Sequence, residues 1–465
     1  MDYLRNVIDT LQDPYLVSRF QRYFGIRETS YPEAPKFYQR NGRSYARDLS
    51  PVSHGQDEYV ETTTLNDEQP SGAAVKRFVE NSSTHGNQGS DDETSGSDSA
   101  GSGKSKIKAL LFQSMTAEGE YTDSDGETRD FIVTKPFWHA LFVFGSALGD
   151  ELFYATFFPL WFWNIDGAVG RRAVLVWYGI MYIGQAMKDV LKIPRPACPP
   201  VIRVQKKWAL EYGFPSTHSM IGIAMPAALS IFTIERYQYP VILAVIPALF
   251  WCLSVCGSRL YLGMHSVLDV LAGLFLGVLV LCCLILPYID AVDEYLVTNT
   301  YSPIALSAVI ALSVLLYPAG NTWTPARGDT VIICAVVLGI YSGAWMNYSK
   351  HLISAASSAP PYAIIWPTYE MWGQVLARSS IGLCSVLATR AIFRSLSYAT
   401  VCALLRLNQQ DVTLRRANVS PRQFVIVELS YKFMTYAAVG FDIIYTAPLV
   451  FRLIGIERPE FYTEV

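Results

Sequence analysis

The stretch "GFPSTHSMIG", residues 213–222, sets Pro215, Ser216, Thr217 and His218 at the start of an apolar run. A helix beginning there leaves its first backbone N–H groups without intrahelical acceptors and carries partial positive charge, which suits an anion such as phosphate. A Ser N-cap beside an incidental His would read the same way, so partners elsewhere must decide. Upstream, "MKDVLKIPRPACPP" gathers Lys188, Lys192 and Arg195 at the end of an apolar segment, stiffened by Pro194 and Pro196. Downstream, "CGSRLYLGMHSVLDVLAG" places Arg259, then His265 and Asp269 four residues apart. On a helix that spacing puts both on one face, where a carboxylate can orient an imidazole. A cation at a helix end often only snorkels to a membrane surface. Lys188, Arg195 and Arg259 beside a helix N-terminus do more: together they can bind a phosphate dianion and its transition state. With one His to attack phosphorus and another to protonate the leaving oxygen, the chemistry is phosphoryl transfer.

The elements that hold these residues are membrane helices. Of 465 residues, 51% are hydrophobic and only 17% charged, which excludes an ordinary soluble enzyme. A hydrocarbon core of roughly 30 Å calls for about 20 apolar residues per helix. Such stretches recur over 137–163, 169–188, 216–234, 239–257, 266–288, 303–317, 330–347, 376–395 and 430–453. This predicts an all-α polytopic bundle of about nine spans, the first five forming a catalytic core over 131–290 and the rest, 291–465, adding further helices. Two helices separate the motif around His218 from that around His265, so all three motifs share one membrane face.

The remainder of the chain is plainer. Residues 1–39 carry apolar residues at helical spacing beside Arg5, Arg19 and Arg22, and read as an amphipathic segment lying on the membrane or docking to the bundle. Residues 40–130, rich in Ser, Gly, Asp, Glu and Thr, read as a disordered low-complexity tail. No signal peptide is expected before the first span. The eight cysteines show no metal-ligand spacing and read as packing residues, with Cys198 in a loop. Neither a nucleotide-binding loop nor a basic patch interleaved with aromatics is visible, so nucleic acid is an unsupported partner. Asp150 and Glu151 interrupt an apolar stretch; they either line a polar pocket or mark a break in the first span. Arg171 and Arg172 read as anchors on the far face from the motifs.

The three motif segments resemble the type 2 phosphatidic acid phosphatase superfamily, whose pattern is K-x6-RP, P-S-G-H and S-R-x5-H-x3-D. Lys188 to Arg195-Pro196 and Ser258-Arg259 to His265 and Asp269 match at every defined position, while Thr217 stands where glycine is usual. That glycine contributes a backbone N–H, which threonine also has. Within the superfamily, "GDELFYATFFPLWFWN", "IPRPACPPV", "EYGFPSTHSM" and "SRLYLGMHSVLD" resemble the sphingosine-1-phosphate phosphatase family.

The resemblance implies an integral membrane phosphatase of the endoplasmic reticulum. Its substrates would be lipid phosphates such as sphingosine 1-phosphate and dihydrosphingosine 1-phosphate, hydrolysed with no metal or other cofactor. Neutral His265, steered by Asp269, would attack phosphorus, and His218 would serve the leaving oxygen. Lys188, Arg195, Ser216, Thr217 and Arg259 would hold the phosphate, with Lys192 outside the site. The resemblance also implies a luminal site, whereas the density of Lys and Arg on the motif side argues for the cytosol. Another substrate of the superfamily, such as a polyprenyl pyrophosphate, glycerolipid phosphate or sugar phosphate, and a non-enzymatic lipid carrier remain as alternatives.

Overall fold

The computed structural model describes residues 2–29, 118–122, 128–205, 211–318, 324–353, 359–414 and 419–464. Two helices, α1 (Asp2–Gln12) and α2 (Pro14–Tyr23), open the chain. Asp13 caps α2 by accepting from Tyr15 N, and Pro14 occupies the first turn, where a missing N–H costs nothing. Three strands follow: β1 (Ile26–Glu28), β2 (Glu118–Thr122) and β3 (Thr128–Val133), with β3 antiparallel between the other two. Strands β2 and the start of β3 therefore lie inside the stretch whose composition reads as a disordered tail; the rest of that stretch lies outside the described residues.

The sheet buries Ile26, Tyr121, Phe131 and Val133 against Cys198, Tyr261, Leu262 and Met264. Gln21 of α2 fastens this layer, donating to the carbonyls of Ile202 and Tyr261 at 2.7 and 2.9 Å and accepting from Ile202 N at 3.0 Å. The amphipathic segment thus docks onto the loops that carry the motifs. Gly263 is what lets the chain turn there: its φ of +68° is left-handed, and a Cβ would meet the Ile202 carbonyl oxygen at 2.3 Å.

The bundle begins with α3 (Pro136–Ala147) and α4 (Glu151–Asn164), which bend by 67° across Leu148–Asp150. The site-bearing helices are α5 (Gly167–Leu191), α6 (Thr217–Arg236), α7 (Ile242–Tyr261) and α8 (Val267–Val280), the last continuing through a π turn at Leu281–Ile285. Beyond them lie α9 (Ile289–Thr298), α10 (Ser302–Leu315), α11 (Pro325–Ser349), α12 (Tyr369–Leu404), the short α13 (Gln409–Thr413) and α14 (Pro421–Phe441). Among the described residues six helices are long and apolar enough to cross a membrane, seven if α3 and α4 form one span. The chain is a multi-pass helical membrane protein. Since lipid is as apolar as a leucine side chain, close backbone approach rather than water exclusion joins such helices. Gly273 of α8 faces the Ser216 carbonyl, and Gly145 of α3 faces the Ser254 carbonyl of α7, each too near to admit a Cβ.

At the end of the bundle away from the motifs, Asp166 accepts from Val169 N, from Arg236 Nε and from the Tyr237 hydroxyl, tying the start of α5 to the end of α6. Arg171 does not act as a surface anchor. It is buried against Asp293 at 3.1 Å and donates to the Glu464 carbonyl, and Arg172 pairs with Asp290 at 2.9 Å. The acidic residues of α9, too far along the chain to be linked by spacing, supply the countercharge.

Candidate active site

The motif cations converge at one end of α5 to α8. Lys188 sits in the last turn of α5, Arg195 in the loop that follows, and Arg259 in the last turn of α7; their residues are 2%, 9% and 1% exposed. Buried charges need partners, and the first is Glu211. Its Oε2 accepts from Lys188 Nζ at 2.8 Å and lies 3.7 Å from Arg195 Nη2, while its carbonyl accepts from Arg195 Nε at 2.9 Å. Burial raises the Glu211 carboxyl, but Lys188 and Arg195 outweigh it and leave the group below its ordinary value, so it is ionised. Burial pulls the Arg195 guanidinium down to about 10, which still leaves it a cation at neutral pH. Arg259 donates to the hydroxyls of Ser258 and Ser146, the latter from the end of α3.

His265, 1% exposed, lies between these cations. Its Nδ1 bonds the Gly213 carbonyl at 2.7 Å, which as an acceptor fixes the proton on Nδ1 and leaves Nε2 with its lone pair. Nε2 is 3.3 Å from Arg195 Nη1, and that guanidinium is itself held by the Met264 carbonyl at 2.7 Å. Burial first, then the charges of Arg195, Lys188 and Arg259, hold His265 well below its ordinary pKa, so the ring is neutral. Helical spacing assigned the steering of this ring to Asp269, and the geometry divides that task. Asp269 Oδ2 stands 3.9 Å from Nδ1, beyond hydrogen-bond reach, and accepts instead from Ser266 N at 2.7 Å in a capping box. His265 precedes the helix rather than lying on it, so the same-face argument does not apply; Asp269 fixes the start of α8 and the Gly213 carbonyl fixes the ring.

His218, in the first turn of α6, reaches Asp150 Oδ1 with Nε2 at 3.3 Å. Asp150 sits at the bend between α3 and α4, so both readings of the charged pair hold: residues 148–150 are a break, and the break delivers a carboxylate to the site. Gly149 allows the approach, since a Cβ there would lie 2.4 Å from His218 Cδ2. Ser216 is the N-cap of α6 and its hydroxyl contacts Ser219 Oγ at 3.0 Å. Thr217 fits in place of the usual glycine because Gly184 of α5 faces it; a Cβ on Gly184 would lie 2.8 Å from Thr217 Cγ2. Lys192 is exposed and caps the end of α5. Among the described residues no group of three or more His, Cys, Asp or Glu side chains is placed to hold a metal ion.

Comparison with known proteins adds the decisive observation. A model of the PAP2 superfamily matches residues 171–291. Rat sphingosine-1-phosphate phosphatase 1 is 39% identical over 317 residues, 68% of this chain and 72% of the relative. Human sphingosine-1-phosphate phosphatase 2 is 37% identical over 331 residues, covering 70% and 80%, and mouse sphingosine-1-phosphate phosphatase 2 is 35% identical over 348 residues, covering 74% and 94%. The chain belongs to the sphingosine-1-phosphate phosphatase family of the PAP2 superfamily. No solved structure matches it.

As a member of that family the protein is a membrane-embedded lipid-phosphate phosphatase, a phosphoric monoester hydrolase. Asp150, Glu211 and Ser146 are polar residues at its candidate site that lie outside the superfamily motifs. Asp150 carried a signal, as a charge in an apolar run. Glu211 carried almost none: a single Glu in a loop is commonplace, and only the excess of buried cations around it shows that an anion was required.

Proposed function

We propose that this protein hydrolyses sphingosine 1-phosphate and related sphingoid-base phosphates, including dihydrosphingosine 1-phosphate, through a phosphohistidine on His265. The observation that carries this is the orientation of His265: Nδ1 on the Gly213 carbonyl and Nε2 beside Arg195. In that tautomer Nε2 attacks phosphorus in line, and the bond from phosphorus to the sphingoid oxygen breaks. His218 gives that oxygen its proton. Water then attacks the phosphohistidine and passes a proton to His218, phosphate departs, and His265 is restored. Lys188, Arg195, Arg259, Ser216 and the Thr217 and His218 N–H groups hold the nonbridging oxygens, so that charge stabilisation comes from the protein rather than a metal. The test is phosphate release from sphingosine 1-phosphate by the purified protein in detergent, with and without a chelator. Release that survives chelation supports the reading; strict dependence on magnesium, or equal rates on glucose 6-phosphate, overturns it.

We also place the protein in the endoplasmic reticulum, with nine crossings and a luminal site. Nine is supported by two helices outside the apolar set. Helix α5 runs from the Asp166–Arg236 pair to Lys188, and α10 runs from Ser302, whose hydroxyl bonds the Leu296 carbonyl of α9, to Leu315, two residues before Tyr317, whose hydroxyl bonds Asp189 at 2.8 Å near the motif end. Docking of α2 on the motif loops supports a tail on the same side as the site. Arg171 and Arg172 mark the opposite side, though their pairing with Asp293 and Asp290 leaves the charge rule with less weight than the family resemblance. Asn81-Ser82-Ser83 is a glycosylation acceptor in the tail. Glycan on Asn81 in cells supports a luminal site, and digestion of the tail by protease added to sealed microsomes overturns it.

A further inference from the structure

Beside the phosphate-binding cations lies a cavity of opposite character. Asp150, Glu151 and Asp329 line it, the last reaching in from α11, where its carboxyl bears on that of Glu151. Two carboxyls so placed repel unless a cation or a proton lies between them. Three further polar atoms on its wall, Tyr154 Oη, Gln185 Oε1 and Glu211 Oε1, have no hydrogen-bond partner among the described residues, although their residues are only 2%, 3% and 7% exposed. Two of these three accept and cannot donate as they stand, and each costs free energy while unpaired. Unpaired acceptors therefore outnumber unpaired donors on these walls, the Tyr154 hydroxyl being able to serve as either. An ammonium group, with three N–H donors and no acceptor, is the complementary ligand. A divalent metal is not: among the described residues no three of these carboxylates converge as ligands. Lys432 of α14 bears on Asp329 but pairs with Glu428 at 3.3 Å.

The cavity is continuous with the phosphate site. Thr217 and His218 line both, and Glu211 joins them, its Oε2 on Lys188 and its Oε1 facing the cavity. In a sphingoid-base phosphate the ammonium-bearing carbon is bonded to the carbon that carries the phosphate ester. A phosphate on Lys188 and Arg195 therefore brings the ammonium to the cavity mouth, and Trp177 and Met181 offer apolar wall to the chain beyond.

We propose that this cavity binds the substrate's ammonium group, with Glu211 Oε1 and the Glu151–Asp329 pair as its acceptors, and so selects amine-bearing lipid phosphates over those lacking the amine. The proposal rests on the phosphatase reading above. Its test compares kcat/KM for sphingosine 1-phosphate and for octadecyl phosphate, a single-chain phosphate with no amine, on wild type, Glu151→Gln and Asp329→Asn. Reading both substrates on one preparation cancels any loss of folded enzyme. Wild type should favour the amine-bearing lipid at least about tenfold, and each variant should lower that ratio several-fold. A wild-type ratio near one, or a ratio unchanged in both variants, overturns the proposal while leaving the phosphatase reading intact. Phosphate release from neither lipid by wild type overturns both.

Discussion

Asp150 Oδ1 and His218 Nε2 meet at 3.3 Å although 68 residues separate them. The contact exists because the first membrane segment bends by 67° just where Asp150 lies. A carboxylate on that nitrogen stabilises the protonated ring, which must form once His218 takes a proton from water. Asp150→Asn should therefore lower kcat by about a hundredfold with a much smaller change in KM. Steady-state kinetics on sphingosine 1-phosphate check this, and a kcat within twofold of wild type would make the contact incidental.

His265→Ala should abolish turnover and any acid-labile phosphoenzyme, because it removes the proposed nucleophile. His218→Ala should behave differently. With an aryl phosphate, whose leaving group needs no proton, the variant should still form the phosphohistidine and then hydrolyse it slowly, giving a burst of released phenol followed by a slow steady state. Absence of a burst would argue against separate roles for the two histidines.

The pH dependence follows from the surroundings of His265. Its pKa lies well below the ordinary value, so the neutral nucleophilic form persists as pH falls through 6.5, and protonation removes it only at lower pH. With an aryl phosphate, whose leaving group takes no proton from His218, and corrected for the substrate's own ionisation near pH 6, kcat/KM should stay level from pH 8 through about 5.5. An additional fall of about fivefold between about pH 6.5 and 5.5 would place His265 at its unperturbed value.

Arg195→Ala and Arg259→Ala should each cost at least about 2 kcal/mol in kcat/KM, the scale of a lost charge-assisted contact in a closed site. Lysine at position 195 should rescue poorly, since the guanidinium there serves the Glu211 and Met264 carbonyls as well as facing His265. A compact ammonium cannot span those positions.

Thr217 and Gly184 should be coupled. Thr217→Gly should keep activity within about threefold, because the backbone N–H remains, whereas Gly184→Ala drives a methyl against Thr217 Cγ2 and should cost about 1–3 kcal/mol of stability. The double variant should recover part of that loss, since removing the threonine methyl relieves one of the two close contacts, the other being Met220 Sδ at 2.9 Å. Additive losses in thermal unfolding would show that the two side chains do not share the space.

The sequence by itself determined the chemistry and its setting. Hydropathy specified a membrane bundle, and the spacings of Lys188, Arg195, Arg259 and His265 marked the residues that converge at one end of it, because both signals are local and periodic. Only the tertiary structure decided which groups hold those residues. The carbonyl of Gly213 took the place assigned to Asp269, since a loop residue does not obey helical registry and any backbone carbonyl can accept a hydrogen bond. Glu211, Asp150 and Asp329 became neighbours through a loop, a bend and a distant helix, and Arg171 found Asp293 on α9. Such partners are chosen by the electrostatic requirement that buried charge be neutralised, and that requirement acts through space between segments that no spacing in the chain relates.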